Sequence, residues 1–227
     1  YSGHTEIFAE YTDTPKYAML LADEFLRVIH VSTHVSLRDA CDRVKKPRII
    51  EVTELISDAC KQFGIDNPRI GIAGLNPHAS DGGLFGWEEE KEILPAVEEL
   101  RGRGFNVDGP VPPDTLFAKA RCGKYDGCVA MYHDQGLAPF KALAMDEGVN
   151  FTAGLPVVRT SPAHGTAYDI AGKGVAKEDS FRQAIYVAID VYRNRCRDKY
   201  AHRNPLRKQY YEKRDDSDFL KKGLQEE

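Results

Sequence analysis

The segment Arg27–Asp39, RVIHVSTHVSLRD, changes character at its midpoint. Arg27 to Thr33 is short and rich in β-branched residues, which reads as a buried strand running out at His34. Ser36 with Asp39 three positions later then reads as a helix N-terminus, a hydroxyl cap backed by an acidic residue. The same switch recurs downstream. Arg69–Ala73 (RIGIA) is a second buried strand, and the glycine-rich stretch Gly74 to Gly86 separates it from a helix over Glu88 to Arg101. The three glutamates Glu88, Glu89 and Glu90 favour the N-terminal end of that helix dipole. Cys128–Tyr132 (CVAMY) is a third apolar strand, and it runs directly into His133. Pro47 suits the first turn of an intervening helix that Gly64 stops, and Asp114 can cap a short helix after the break at Pro110, Pro112 and Pro113. Strands alternating with helices predict an α/β layered fold with a largely parallel sheet.

Composition narrows the rest. The chain has 227 residues, 42% of them apolar and 29% charged, enough for one large domain or two small ones. With 31 basic against 35 acidic side chains, the net charge of −4 favours neither nucleic acid nor an anionic membrane, so an anionic ligand needs a local basic site. Apolar runs such as Tyr17 to Ala22 fall far short of the roughly 20 residues of a membrane span. Five cysteines without a CxxC pair argue against a disulfide framework and for a reducing cytoplasm. From Cys196 to Glu227 the chain is charged and aperiodic, which predicts a peripheral extension.

Three histidines follow the apolar strands: His34, His78 and His133. In open α/β sheets ligands sit beyond the carboxyl ends of the strands, so these three loops can converge although they are far apart in sequence. Neutral imidazoles there can bind a divalent ion, yet no HxH or HxxxH pair anchors such a site locally, and a histidine after a strand is by itself an ordinary loop residue. Lys141, Asn150 and Arg159 lie downstream and can hold carboxylate or phosphate oxygens. His4 and Thr5 offer an imidazole and a hydroxyl for the same purpose, although Thr5 is equally compatible with a helix cap. Ser161 to Gly174 contains HGTAYDIAGKG, whose small residues let backbone approach a flat or phosphate-bearing ligand. The chain has no GxGxxG fingerprint, so a standard Rossmann site is not indicated.

In order along the chain, GHTE (Gly3–Glu6), STHVSLRD (Ser32–Asp39), GLNPHA (Gly74–Ala79), GPVPPDTLF (Gly109–Phe117), MYHDQG (Met131–Gly136), GVNFTAGLPVVRTSPAHGTA (Gly148–Ala167) and AGKG (Ala171–Gly174) resemble the 4-hydroxythreonine-4-phosphate dehydrogenase family. The likeness covers roughly the first 195 residues. It implies a two-domain α/β/α architecture like that of isocitrate and isopropylmalate dehydrogenases, with the chain covering one domain and part of the other. Residues 1–152 would form the metal- and substrate-binding, dimerisation domain, 153–195 the return into the cofactor domain, and 196–227 a charged extension. His34, His78 and His133 would be metal ligands for one divalent ion (Zn, Mg, Co or Mn). His4, Thr5, Lys141, Asn150 and Arg159 would hold a phosphorylated substrate. His164, Gly165, Thr166, Ala167, Asp169 and Gly172 would contact NAD or NADP. The implied reaction oxidises a secondary alcohol by hydride transfer and then loses carbon dioxide, in a homodimer.

Two substrates fit this wording, 4-phosphooxy-L-threonine and the 4-phosphates of threonate or erythronate. The family's N-terminal half has no counterpart here, and the chain opens inside GHTE. The expectation is therefore of a fragment without turnover by itself. A non-catalytic module that binds metal or a phosphorylated ligand is the rival from another class.

Overall fold

In the computed structural model, residues 1, 3–144, 146–165 and 167–206 are described. Among them a seven-stranded sheet runs in the order β4-β3-β5-β2-β1-β6-β7. The strands are β1 (Ala18–Ala22), β2 (Arg27–His30), β3 (Ile70–Ala73), β4 (Val107–Val111), β5 (Gly127–Ala130), β6 (Val149–Ala153) and β7 (Thr160–Pro162). The helices are α1 (His4–Tyr11), α2 (Leu37–Asp42), α3 (Lys46–Gln62), α4 (Leu94–Gly102), α5 (Pro113–Arg121), α6 (His133–Ala144) and α7 (Asp179–Ala201).

The sheet is parallel only from β4 through β3 and β5 to β2. From β2 through β1 and β6 to β7 it is antiparallel, so the expected largely parallel sheet is a mixed one. The change of direction has a local cause. Asp23 Oδ1 accepts the amides of Phe25 and Leu26, folding the chain back between β1 and β2 without room for a helix. All of β1 is buried, which explains why its sequence, Ala-Met-Leu-Leu-Ala, shows no polar alternation.

Successive residues of the strands feed two cores, giving three layers. Leu20, Ile29, Ile72 and Val129 pack with Ile49, Val52 and Ile56 of α3, Val97 and Leu100 of α4 and Val191 of α7. Leu21, Val28, Cys128 and Ala130 face the other way, onto Leu116 and Phe117 of α5 and Phe140 of α6. The α/β/α layering expected from the strand–helix alternation is thus present. Ser36 caps α2 through the Asp39 amide, and Pro47 lies in the first turn of α3.

Residues 1–195 form one contact unit, so 153–195 lie in the same unit as 1–152; a second unit begins at Cys196. Ser180 Oγ of α7 donates to Gly148 O at 2.7 Å, Thr160 Oγ1 of β7 donates to Ala184 O, and Asn194 Nδ2 donates to Gln62 O. Composition predicts an irregular extension from Cys196, yet α7 continues to Ala201. The remainder of that expectation, residues 207–227, lies outside the described residues. Among the described residues no helix is long and apolar enough to cross a membrane, and the five cysteines are free thiols.

The two strands that frame the site are tied at their starts by a charged fork. Asp126, just before β5, accepts from the Arg69 amide at 2.8 Å and from its guanidinium Nε and Nη2 at 3.0 Å each. These hydrogen bonds hold the Asp126 carboxyl below its ordinary range. A depressed carboxyl contributes stability above its unfolded pKa, and the contribution disappears as pH falls through the folded value. We expect Asp126→Asn to cost about 0.5–1.5 kcal/mol at neutral pH, limited by solvent screening of a partly exposed pair. Urea unfolding should show the gap between the two proteins closing as the pH is lowered below about 4. A gap independent of pH would contradict the assignment.

Candidate active site

Strands β3, β5 and β2 are parallel neighbours, so the segments that leave their C-terminal ends emerge along one edge of the sheet. The β2 segment carries Ser32, Thr33 and His34, while β5 leads through Met131 and Tyr132 into α6 at His133. Val31 N donates to Ala130 O at 2.9 Å and Ser32 Oγ donates to Met131 O at 3.2 Å, so these two segments stay paired beyond the strands. Gln135, 9% exposed, joins the third segment to them. Its Oε1 accepts from Met131 N at 2.7 Å and its Nε2 donates to Gly74 O at 2.8 Å.

The His34 and His133 rings lie side by side, with centroids 5.8 Å apart. His133 Nδ1 donates to Asp134 Oδ1 at 2.7 Å, and His34 Nδ1 lies 3.7 Å from Glu6 Oε1. Glu6 arrives from α1, whose N-cap Gly3 abuts the His34 ring so closely that a Cβ there would lie 3.4 Å from Cε1. Two clefts meet at Thr33 and His34. One, of about 500 Å³, is lined by Ser36, Tyr132, His133 and Asp134; the other, of about 590 Å³, by Thr5, Glu6, His30, Lys45 and Arg48.

Two adjacent imidazoles are suitable donors for a borderline divalent ion, so this pair fits part of the expected ligand set. The third expected donor is not brought into it, and among the described residues no three His, Cys, Asp or Glu side chains converge as a ligand group. His78 stands in a left-handed turn with φ of 53°, 54°, 70° and 47° at His78, Ala79, Ser80 and Asp81, its ring 6.3 Å from that of Phe85. Consecutive non-glycine residues in that region are strained and need an external hold. Glu89 provides one: 4% exposed, in a π-helical turn before α4, it accepts from Asn76 N at 2.7 Å and Asn76 Nδ2 at 2.8 Å. Gly74 is required at the base of the turn, where a Cβ would fall 3.0 Å from both Ala79 Cα and Glu89 Oε1.

Of the expected anion-binding residues, Arg159 and Asn150 meet. Arg159 Nη1 donates to Asn150 Oδ1 at 3.1 Å and to Thr152 Oγ1 at 3.3 Å, a pairing set by the β6–β7 register. Burial lowers the Arg159 pKa and the Glu6 charge opposes that shift, which couples this cation to the histidine side of the site. Thr5 is buried in the larger cleft, whereas His4 and Lys141 are exposed. His164, Gly165, Asp169 and Gly172 are exposed as well, Ala167 is half-buried with φ of 50°, and Thr166 lies outside the described residues. The structure thus leaves most of the expected cofactor loop on open surface.

Sequence reading gave no site role to His30, Gln135 or Glu89. His30 ends β2 at 1% exposure, and neither ring nitrogen has a hydrogen-bond partner. Burial pushes its pKa down to about 3; the Met19 backbone opposes the shift, and the neighbouring His133 and His34 add to it. Gly136 makes room for it, since a Cβ there would come within 2.4 Å of His30 Nε2. A histidine inside a β-branched strand was the available signal.

A family model for the pyridoxal phosphate biosynthetic protein PdxA matches residues 1–188. The chain is 57% identical over 223 residues to a 4-hydroxythreonine-4-phosphate dehydrogenase of Bacteroides thetaiotaomicron, an alignment that takes in 97% of this chain and 61% of the relative. It is 52% identical over 197 residues to a D-threonate 4-phosphate dehydrogenase of Cupriavidus necator, covering 86% of this chain and 59% of that one. A crystal structure of 4-hydroxythreonine-4-phosphate dehydrogenase from Klebsiella pneumoniae superposes with a TM-score of 0.76 at 49% identity, covering 84% of this chain and 58% of the other. The chain therefore spans about three fifths of the length of the relatives it matches.

Gln135 is the strut on which the relative placement of these segments depends. We expect Gln135→Ala to destabilise the protein by about 2–4 kcal/mol, because it leaves the Met131 amide and the Gly74 carbonyl unpaired and opens a cavity. Chemical denaturation measures the loss; a change under about 0.5 kcal/mol would show that the strut is dispensable.

Proposed function

The chain belongs to the family of the pyridoxal phosphate biosynthetic protein PdxA, and from that premise we propose that it carries the substrate cleft of a nicotinamide-dependent dehydrogenase. The substrate is a small 4-phosphorylated hydroxy acid, 4-phosphooxy-L-threonine, oxidised and decarboxylated to 3-amino-2-oxopropyl phosphate. One observation carries this reading: the His34–His133 pair, Glu6 and the Arg159–Asn150 pair come together from β2, β5, α1 and β6–β7. Imidazoles and a fixed guanidinium, linked through Glu6, match a ligand with a reacting hydroxyl at one end and an anionic group at the other.

The chain's own residues divide the work. Arg159, oriented by Asn150 and Thr152, binds an anionic oxygen of the substrate, and the Asn150 amide keeps that guanidinium in one geometry. Thr5 offers its hydroxyl within the larger cleft. Lys141, exposed on α6, adds a second cation from the next segment. His34 and His133 present imidazole nitrogens to the hydroxyl side. His34 and His133 would hold a divalent ion, with His78, which stands outside their group here, as the expected third donor; the ion would supply positive charge favouring loss of the hydroxyl proton and then of carbon dioxide. His164, Gly165, Thr166, Ala167, Asp169 and Gly172 would hold the nicotinamide cofactor that accepts the hydride, and the protein would act as a homodimer.

The relative of Cupriavidus necator, nearly as similar, is named for D-threonate 4-phosphate, and this supports a second reading with the same chemistry and a hydroxyl in place of the amino group. The purified full-length protein that contains this chain, supplied with NAD, a divalent ion and each phosphorylated acid in turn, should form NADH with 4-phosphooxy-L-threonine. Turnover of only 4-phospho-D-threonate establishes the second reading, and no turnover of either overturns both. Arg159→Ala should lower kcat/KM by a factor equivalent to about 1.5–3 kcal/mol, the loss of a charge-assisted hydrogen bond. His34→Ala and His133→Ala should each abolish retention of the divalent ion while leaving the unfolding transition cooperative.

A further inference from the structure

Glu6 belongs to GHTE and lies within the site, yet the reading above gives it no chemical role, and its surroundings are unusual for a carboxylate on a short surface helix. One oxygen, Oε2, is buried without a hydrogen-bond partner, and the other lies 3.7 Å from His34 Nδ1. The backbone at Gly3 presses against both groups: a Cβ there would fall 2.9 Å from Glu6 Oε2 and 3.7 Å from His34 Nδ1. Arg159, whose Nη1 bonds Asn150 and Thr152, feels the Glu6 charge but makes no hydrogen bond with it.

The second imidazole shows what this arrangement accomplishes. His133 Nδ1 faces the Asp134 carboxylate at 2.7 Å, and an ionised carboxylate only accepts, so Nδ1 carries the proton and Nε2 the lone pair. Each member of the pair thus has its own carboxylate on the Nδ1 side, Asp134 from the neighbouring position and Glu6 from a helix 28 positions upstream (34 − 6). The His34 side chain is 43% exposed, and a small rotation of its ring would close 3.7 Å to a hydrogen bond.

We infer that Glu6 is a positioning residue: it accepts from His34 Nδ1–H and so fixes His34 as the tautomer whose Nε2 lone pair, like that of His133, is open to a divalent cation. An imidazole left to itself divides between tautomers, so a fixed one binds without that loss. The inference rests on the metal-binding part of the proposed function, and the first measurement is chosen to be independent of it.

Long-range nitrogen–proton correlation spectra of the metal-free protein report the tautomer of each histidine. In the wild type His34 should be the Nδ1–H form; a wild-type His34 protonated on Nε2 overturns the inference without any variant being made. In Glu6→Ala the population should move toward Nε2–H while His133 keeps its tautomer. Glu6→Gln, whose amide oxygen still accepts, should restore the Nδ1–H form. Zinc titration by calorimetry should then show Glu6→Ala binding about 10- to 100-fold more weakly, with Glu6→Gln recovering most of the affinity. An unchanged tautomer, or zinc affinity within twofold of wild type, overturns the inference. If the wild type binds no zinc while the tautomer moves as stated, the metal reading fails and the role of Glu6 in orienting His34 stands.

Discussion

Strand β5 is hydrogen-bonded to parallel neighbours on both sides, β3 on one and β2 on the other, and the rest of the molecule is arranged around that constraint. A parallel pair requires each strand to leave at the same edge and return over a face of the sheet. Helices α3, α4, α5 and α6 are the return paths, and they cover both faces with separate apolar layers. The consequence for chemistry is that three loops, remote in sequence, start from one edge. Had β5 paired antiparallel with either neighbour, His133 would leave from the opposite edge to that neighbour's loop.

The edge is held by polar groups placed where water does not compete. Gln135 spends both ends of its amide on backbone of neighbouring loops, and Glu89 accepts from both the backbone and the side-chain amide of Asn76. In a buried setting an unmade bond of this kind costs more than a made one contributes, which makes such struts specific as well as stabilising. Glu89 in particular bears on the left-handed turn at His78, a conformation that local preferences do not favour. His30 is the exception on the same edge, a fully enclosed imidazole kept neutral by burial and accommodated only because position 136 lacks a side chain.

The antiparallel half of the sheet serves a different end. The β6–β7 pairing carries no strand-end histidine, but it brings Asn150, Thr152 and Arg159 into register with one another. α1 then stands between the two halves of the chemistry, with Glu6 facing His34 on one side and biasing Arg159 on the other.

The sequence by itself determined the layered α/β class, because β-branched runs followed by capped helices encode their conformation within a few residues. It also determined the family, the strand-end positions of His34 and His133, and the candidate anion residues, since motif identity and chemical type are local properties. Strands β1, β4, β6 and β7 were not legible: β1 is buried on both faces and shows no alternation, while β4 contains Gly109 and Pro110. Only the tertiary structure decided that the sheet is mixed, that His34 and His133 are neighbours while His78 stands outside their group, and that Glu6 and Asp134 each face one imidazole. These depend on strand order and on side chains separated by tens of residues. The physical reason is that pairing partners in a sheet are chosen by burial and loop closure across the whole chain, which no local pattern records.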